Sequence, residues 1–289
     1  MLSKLFVRTV GLLPRGFIKR IGMMQAKSPL LHRIVVRGRS WIEGGDMVIQ
    51  QGIGAGLKIQ PGPSNFGYVM GTSEPETQNA MKEHIKPGDC FWDIGCNVGF
   101  LSVIGARLVG NDGVVYAFDP VPNHTQIAEQ NVRANKFTHA KVFQMAISDK
   151  VGSAKFAVAE IPAQSTLTEA GFNREGSVII EVKTSSVDDL IEHQAYTPPN
   201  VVKIDVEGAE VDVLKGMTNT LRNHRPTIIL DTHGEHMKCA GILAQADYWC
   251  STSDHPDRAV EESEYFCQLL ATPTERRKDT TAATTVAAV

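Results

Sequence analysis

Four groups of polar residues in this 289-residue chain stand where an apolar run stops, which is where a strand delivers side chains to a ligand. Asp93 closes Phe91-Trp92 and runs into Gly95, Asn97 and Gly99; Asp119 closes Val114 to Phe118. Asp205 closes Val201 to Ile204, and Asp231, Thr232 and His233 close Thr227 to Leu230. A carboxylate on a strand tip can accept hydroxyls, attract an ammonium group or hold a divalent cation, and a histidine titrates near neutrality, where it can take a proton from a hydroxyl. Asp205 and His233 are therefore the candidate bases. A histidine after a strand also serves as an ordinary satisfied loop residue.

The stretch Cys90 to Phe100, CFWDIGCNVGF, has the pattern of a buried strand turning sharply into a helix. Gly95 can take the turn's special dihedrals, Gly99 lets strand and helix approach closely, and N–H groups at the helix start are left for a polar ligand. A dinucleotide fingerprint has its outer glycines five apart, whereas Gly95 and Gly99 are four apart with an acid ahead of them. That argues against a pyrophosphate and for a ligand with a positive end. S-adenosylmethionine has one, and Asp93 would attract its ammonium directly or through water. The plainer alternative is a strand-turn-helix with no ligand.

Asp119 lies twenty residues beyond Gly99, at the end of the second strand, where a carboxylate can accept both hydroxyls of a ribose. An Asp before Pro120 is also an ordinary cap or turn residue. The third strand, Lys141 to Ala146, ends in Ile147-Ser148-Asp149, so Ile147 and Asp149 are candidates to grip an adenine. Asp149 serves equally as a turn residue before Gly152.

The elements that must position these residues follow a β-α-β rhythm. Residues 1–40 form a basic arm with no Asp or Glu, a solvated face or a weak contact for a membrane surface. Residues 41–70 read as short hairpin strands, a small β cap, and Glu74 to Lys86 as a helix. Helices at about 98–109 and 122–135 alternate with the first three strands. Ala154 to Val158 and Val178 to Thr184 look like an inserted or edge pair, with Gln164 to Leu167 in a loop that could lie over the substrate. A helix runs from Val211 to about Arg222, another covers about 235–246, and strands near Tyr248 to Cys250 and from Tyr265 to Leu270 complete a seven-stranded sheet. Residues 274–289 read as a disordered tail. The formal net charge of -3, with an acidic body behind the basic arm, argues against a nucleic-acid face. Five cysteines without C-x-x-C spacing suit free thiols, and no run is apolar enough to span a bilayer, so a cytoplasmic location is expected.

From about Gly71 to Pro273 the chain resembles the FkbM family of S-adenosylmethionine-dependent methyltransferases. The resemblance rests on DIGCNVGF at Asp93 to Phe100, FDP with the following helix at Phe118 to Asn131, and KIDVEGAE at Lys203 to Glu210. It implies the α/β class I methyltransferase fold, a Rossmann-like three-layer sandwich with strand order 3-2-1-4-5-7-6 and strand seven antiparallel. It also implies transfer to an oxygen of a sugar, polyketide or related small-molecule acceptor, with Gly95, Asn97, Gly99, Asp119 and Asp205 around the cofactor. Asp119 and Asp231 stand where the family more often has Glu. Within that fold a base on the acceptor hydroxyl, His233 or Asp205, competes with magnesium held by Asp205 and Asp231. An NAD-dependent oxidoreductase and a cofactor-binding protein without turnover are the rival functions.

Overall fold

The computed structural model describes residues 47–62, 66–158, 166–167, 178–252, 255–260 and 268–276. The basic arm, most of the tail and residues Gln164 and Ser165 of the inserted loop lie outside the described residues.

The chain runs β1 (Met47–Val48), β2 (Lys58–Ile59), α1 (Phe66–Met70), α2 (Pro75–His84), β3 (Cys90–Ile94), α3 (Phe100–Val109), β4 (Val114–Asp119), α4 (Pro122–Ala134) and β5 (Ala140–Gln144). It continues through β6 (Ala146–Ile147), β7 (Gly152–Val158), β8 (Thr166–Leu167), β9 (Val178–Ser185), α5 (Val187–Gln194) and β10 (Val201–Ile204). The last part is α6 (Glu210–Lys215), α7 (Thr218–Asn223), β11 (Thr227–Asp231), α8 (His236–Gln245), β12 (Tyr248–Thr252), β13 (His255–Ala259) and β14 (Gln268–Pro273).

The main sheet has the order β13-β12-β14-β11-β10-β3-β4-β5. Leaving out β13 and counting along the chain gives the expected 3-2-1-4-5-7-6, and β14 is antiparallel to both of its neighbours. β13 is an eighth strand that the sequence reading lacked; it pairs antiparallel with β12 and becomes the edge. The inserted pair is larger than expected: β7 and β9 join β6 and β8 in a separate four-stranded sheet.

Period-two alternation builds the layers. Along β3, Cys90, Trp92 and Ile94 face one core with Leu190, Leu214 and Leu243, whereas Phe91 faces the other with Leu101, Val103 and Ile104. On the second face Gly105 gives Phe91 its room, since a Cβ there would lie 2.3 Å from the ring. Met47, Ile49, Leu57 and Ile59 of the small β cap belong to this same core. The cap is also tied to α4, because the side chains of Asn131 and Asn135 exchange hydrogen bonds with the backbone of Gln60 and Lys58.

The anticipated third strand divides. Residues 140–144 stay in the main sheet, while Ala146–Ile147 leave it to pair with β9. The helix expected from Val211 to Arg222 is likewise two helices, with Gly216 between them packed so close to Ser148 that a Cβ would lie 2.0 Å from its carbonyl oxygen. The start of the expected tail is held: Glu275 accepts two hydrogen bonds from Arg225, at 2.9 and 2.7 Å. Among the described residues Cys90, Cys96, Cys239 and Cys250 are buried thiols in no disulfide. Among the described residues no helix is long and apolar enough to cross a membrane.

Candidate active site

β3 and β10 are parallel neighbours, and the chain leaves β3 outward through β4 and β5 before returning to β10. The crevice beyond their tips is thus a topological switch point, where open α/β sheets bind ligands. At its floor Gly95 has φ +80°, and a Cβ on it would stand 1.8 Å from the Asp205 carbonyl oxygen. Glycine is required there on both counts. The N–H groups of Gly95 and Cys96 donate to the Phe118 carbonyl, and Asn97, itself left-handed at φ +50°, donates its N–H to Asp119 Oδ2 at 2.9 Å. Gly99 sits differently: it faces Ala128 of α4, 3.0 Å from a would-be Cβ, and serves helix packing rather than the pocket wall.

Above this floor lies a pocket with three kinds of wall. Asn97, Asp119 and His124 are polar; Phe118, Met145, Ile147 and Phe156 are apolar; Glu74, Lys203, Asp205 and Glu207 form a charged rim. An apolar slot beside a strand-tip carboxylate suits a nucleoside, its base in the slot and its diol on Asp119. Asp119 already accepts from the N–H of Val121 at 2.9 Å and contacts His124 Nδ1 at 3.1 Å. Oδ2 receives the Asn97 N–H alone and keeps acceptor capacity, and Oδ1 keeps it when His124 Nδ1 does not donate, because an ionised carboxylate offers about four lone-pair sites. Asp149 stands outside the lining and accepts from Ser148 Oγ at 3.2 Å.

Asp93 is not at the wall either. It is fully buried, accepts from Ser102 Oγ at 2.5 Å and lies 3.8 Å from Lys203 Nζ. Its cation is therefore supplied by the protein, and its part in the site is to anchor Lys203 beneath the corner. Lys203 donates to the Gly95 carbonyl at 3.1 Å and to Asp205 Oδ2 at 3.4 Å. Burial opposes its charge, but Asp205, Asp93, Glu74 and Asp231 together hold its pKa well above the usual lysine range. A lysine inside the apolar run Val201 to Ile204 was the sequence signal for this role, and the sequence reading passed over it.

At the rim, His233 Nδ1 lies 2.7 Å from Glu210 Oε1, and its Nε2 lies 3.3 Å from Glu207 Oε2 and 3.8 Å from Asp205 Oδ1. The hydrogen bond to Glu210 leads, with the charges of Glu207 and Asp205, in pushing the imidazole up to about 9, against burial. That shift favours the imidazolium near neutrality, a form that has no lone pair with which to take a proton. Burial pushes Glu207 up to about 7, with His233 pulling the other way. Asp231, raised by burial and by Asp205, accepts from Gln268 Nε2 at 2.8 Å. Ligand-capable atoms of Asp205, Glu207 and His233, and of Glu74, Asp205 and Asp231, lie within 4.8 Å of one another. In the first set His233, and in the second Lys203, already supplies positive charge, so neither is assigned as a metal centre.

Glu74, left-handed at φ +49°, is pushed up to about 7 by its enclosure, with Asp205, Asp231 and Asp93 adding to the effect and Lys203 opposing it. An acid raised in the fold keeps its proton where the unfolded chain has lost it. Its contribution to stability is therefore largest below its ordinary pKa of 4.5 and is lost as pH rises to about 7. Urea unfolding of the wild type and of Glu74→Gln should diverge across that window. The wild type loses on the order of 1 kcal/mol relative to the variant once solvent screening is allowed for, and parallel curves would contradict the enclosure.

The family model described as the methyltransferase FkbM domain matches residues 93–249, more than half of the chain. Hexuronic acid methyltransferase AglP of Haloferax volcanii is 34% identical over 151 residues, 52% of this chain and 59% of that protein. The ribosomal protein L11 methyltransferase of Bacillus cytotoxicus is 28% identical over 162 residues, 52% of this chain and 50% of that one. The chain thus spans about half the length of these curated relatives. Among solved structures, methyltransferase FkbM from Methylobacillus flagellatus KT is 16% identical, with 72% of this chain and 55% of that chain covered and a TM-score of 0.45.

Proposed function

This chain belongs to the FkbM methyltransferase domain family, and from that premise we propose that it is an S-adenosylmethionine-dependent O-methyltransferase acting on a hydroxyl of a sugar, polyketide or related small molecule. The observation that carries the reading is the continuity of the pocket. The polar wall with Asn97 and Asp119 and the charged rim with Asp205 and Glu207 line the same pocket, so a nucleoside held on Asp119 has the carboxylate rim within the same cavity. When bound, S-adenosylmethionine supplies a methyl group made electrophilic by its sulfonium. The chain's own residues bind and orient: Asp119 faces the diol, Phe118, Ile147 and Phe156 enclose the base, and the rim carboxylates accept hydroxyl protons from the acceptor. The likeness to a hexuronic acid methyltransferase favours a sugar among the acceptors.

Calorimetry with S-adenosylmethionine and NAD, with magnesium or a chelator in parallel, tests the cofactor. S-adenosylmethionine is expected to bind in the micromolar range and NAD not to bind; the reverse would point to an oxidoreductase. A labelled methyl group offered with hexuronic acids, neutral sugars and polyketide alcohols then tests turnover. Binding with no transfer to any of them would favour a protein that holds the cofactor without chemistry.

A further inference from the structure

We propose that Glu207 is the catalytic residue that takes the acceptor hydroxyl's proton, and that His233 and Glu210 are positioning residues that hold it at the pocket rim. The proposal rests on the methyltransferase reading given above and goes beyond it in naming the base.

Two carboxylates from the β10 end line the pocket, Asp205 and Glu207. They are held differently. Asp205 turns Oδ2 to the buried Lys203 ammonium at 3.4 Å. Glu207 has no such lysine; behind it stands a row of side chains leading out of the core. Glu210, fully buried, accepts from the Gly208 N–H at 2.9 Å and from His233 Nδ1 at 2.7 Å, and His233 presents Nε2 to Glu207 Oε2 at 3.3 Å. Glu210 Oε1 thereby fixes the imidazole ring, and the ring fixes one Glu207 oxygen. Beyond this ion-pair contact Glu207 has no side-chain hydrogen bond among the described residues, and its side chain is 29% exposed, so a proton taken there has a route to water.

The backbone is bent to the same end. Glu207 is left-handed at φ +53° and Gly208 follows at φ +102°. A bulky non-glycine residue in that region is retained when its surroundings demand the position, and such residues gather at active sites. The carboxyl, pushed up to about 7, also matches a base that works near neutrality. The groups facing it are His233, Asp205, Glu210 and Lys203, so any pH dependence belongs to this set.

In the balanced step the acceptor O–H bond breaks and its proton passes to the Glu207 carboxylate. The acceptor oxygen forms a bond to the methyl carbon as the carbon–sulfur bond breaks and its electron pair returns to sulfur, leaving a neutral thioether. Glu207 then gives its proton to solvent at the rim.

The test is Glu207→Gln. Its kcat is expected to fall about 10²- to 10⁴-fold, the range for losing a general base, with S-adenosylmethionine affinity by calorimetry within about threefold of wild type. The acidic limb of the kcat–pH profile should disappear. In His233→Gln that limb should persist and move to higher pH, because the cation that lowers the Glu207 pKa is gone. A readout without turnover is the ring-nitrogen NMR titration of His233 in the unliganded protein, whose midpoint should fall in Glu207→Gln. An unchanged midpoint, or an unchanged kcat with binding intact, would overturn the proposal. Loss of wild-type activity to a chelator, with binding of magnesium ions abolished by Glu207→Gln, would overturn it in favour of a cation site. Wild-type protein that binds S-adenosylmethionine and transfers no methyl group would sink the functional reading and this proposal with it, whereas the NMR arm fails only for the proposal.

Discussion

Lys203→Met is expected to lower the unfolding free energy by about 3–5 kcal/mol, the range for stripping a buried charge of its partner, and to lower it more at about pH 8 than at about pH 5. The reason lies in what would be left behind. Asp93 is completely enclosed, one of its oxygens is bonded to Ser102, and its other oxygen, Oδ1, has no hydrogen bond and only the Lys203 ammonium at 3.8 Å. Burial already raises the Asp93 pKa despite that cation. Without it the group rises further, so at low pH it stays protonated and tolerable, and as pH rises it must either ionise in the core or open the fold. Asp205 and the Gly95 carbonyl lose the same donor, so the corner loosens as the core weakens. Adding Asp93→Asn to Lys203→Met removes the charge while leaving a group for Ser102, and should return most of the lost stability. Urea unfolding at both pH values decides the matter: an equal loss at each, not rescued by Asp93→Asn, would mean that packing rather than charge was removed.

This pair also marks the boundary between what the sequence discloses and what it does not. The glycine corner and the acids at the strand tips were legible because each is local: Gly95 and Asn97 adopt their turn within a few residues, and alternation along Cys90 to Ile94 already states which side chains face which core. The partner of Asp93 was not legible. An acid before a glycine turn looks the same whether it faces a ligand's ammonium or a lysine, and Lys203 arrives from more than a hundred residues away to lie beside it. His233 followed the same course. Its identity and its place after a strand suggested a base, and the groups that push its pKa up, Glu210 and Glu207, come from a different strand end. Where elements divided, the cause was again a distant contact: Ala146–Ile147 leave the third strand for β9, and Gly216 interrupts a helix where it meets Ser148. Phe156 reached the pocket through the second sheet, and no local pattern announced it.

The second large effect is expected at Asp119. Asp119→Ala should weaken S-adenosylmethionine binding about 100-fold or more, since two charge-assisted hydrogen bonds to a ribose diol are worth about 1.5–3 kcal/mol each. The same carboxylate also braces the pocket. Its Oδ2 receives the Asn97 N–H and its Oδ1 the Val121 N–H, both at 2.9 Å, so the alanine variant leaves two N–H groups without an acceptor and releases the left-handed Asn97 that forms the pocket floor. A fall in affinity could therefore come from lost ribose contacts or from a slackened corner, and the two are separable. Asp119→Asn keeps one acceptor oxygen for the backbone but has no charge to offer, and its amide donors face N–H groups; it should bind almost as poorly as Asp119→Ala. Asp119→Glu restores charge with a longer reach and should recover most of the affinity. Calorimetry reports the binding, and thermal unfolding reports whether the fold survived. If Asp119→Ala remains folded and binds as tightly as wild type, the carboxylate is only a brace and the nucleoside lies elsewhere in the pocket. If affinity falls in Asp119→Ala and returns in Asp119→Glu while both stay folded, the acid at the tip of β4 holds the ribose.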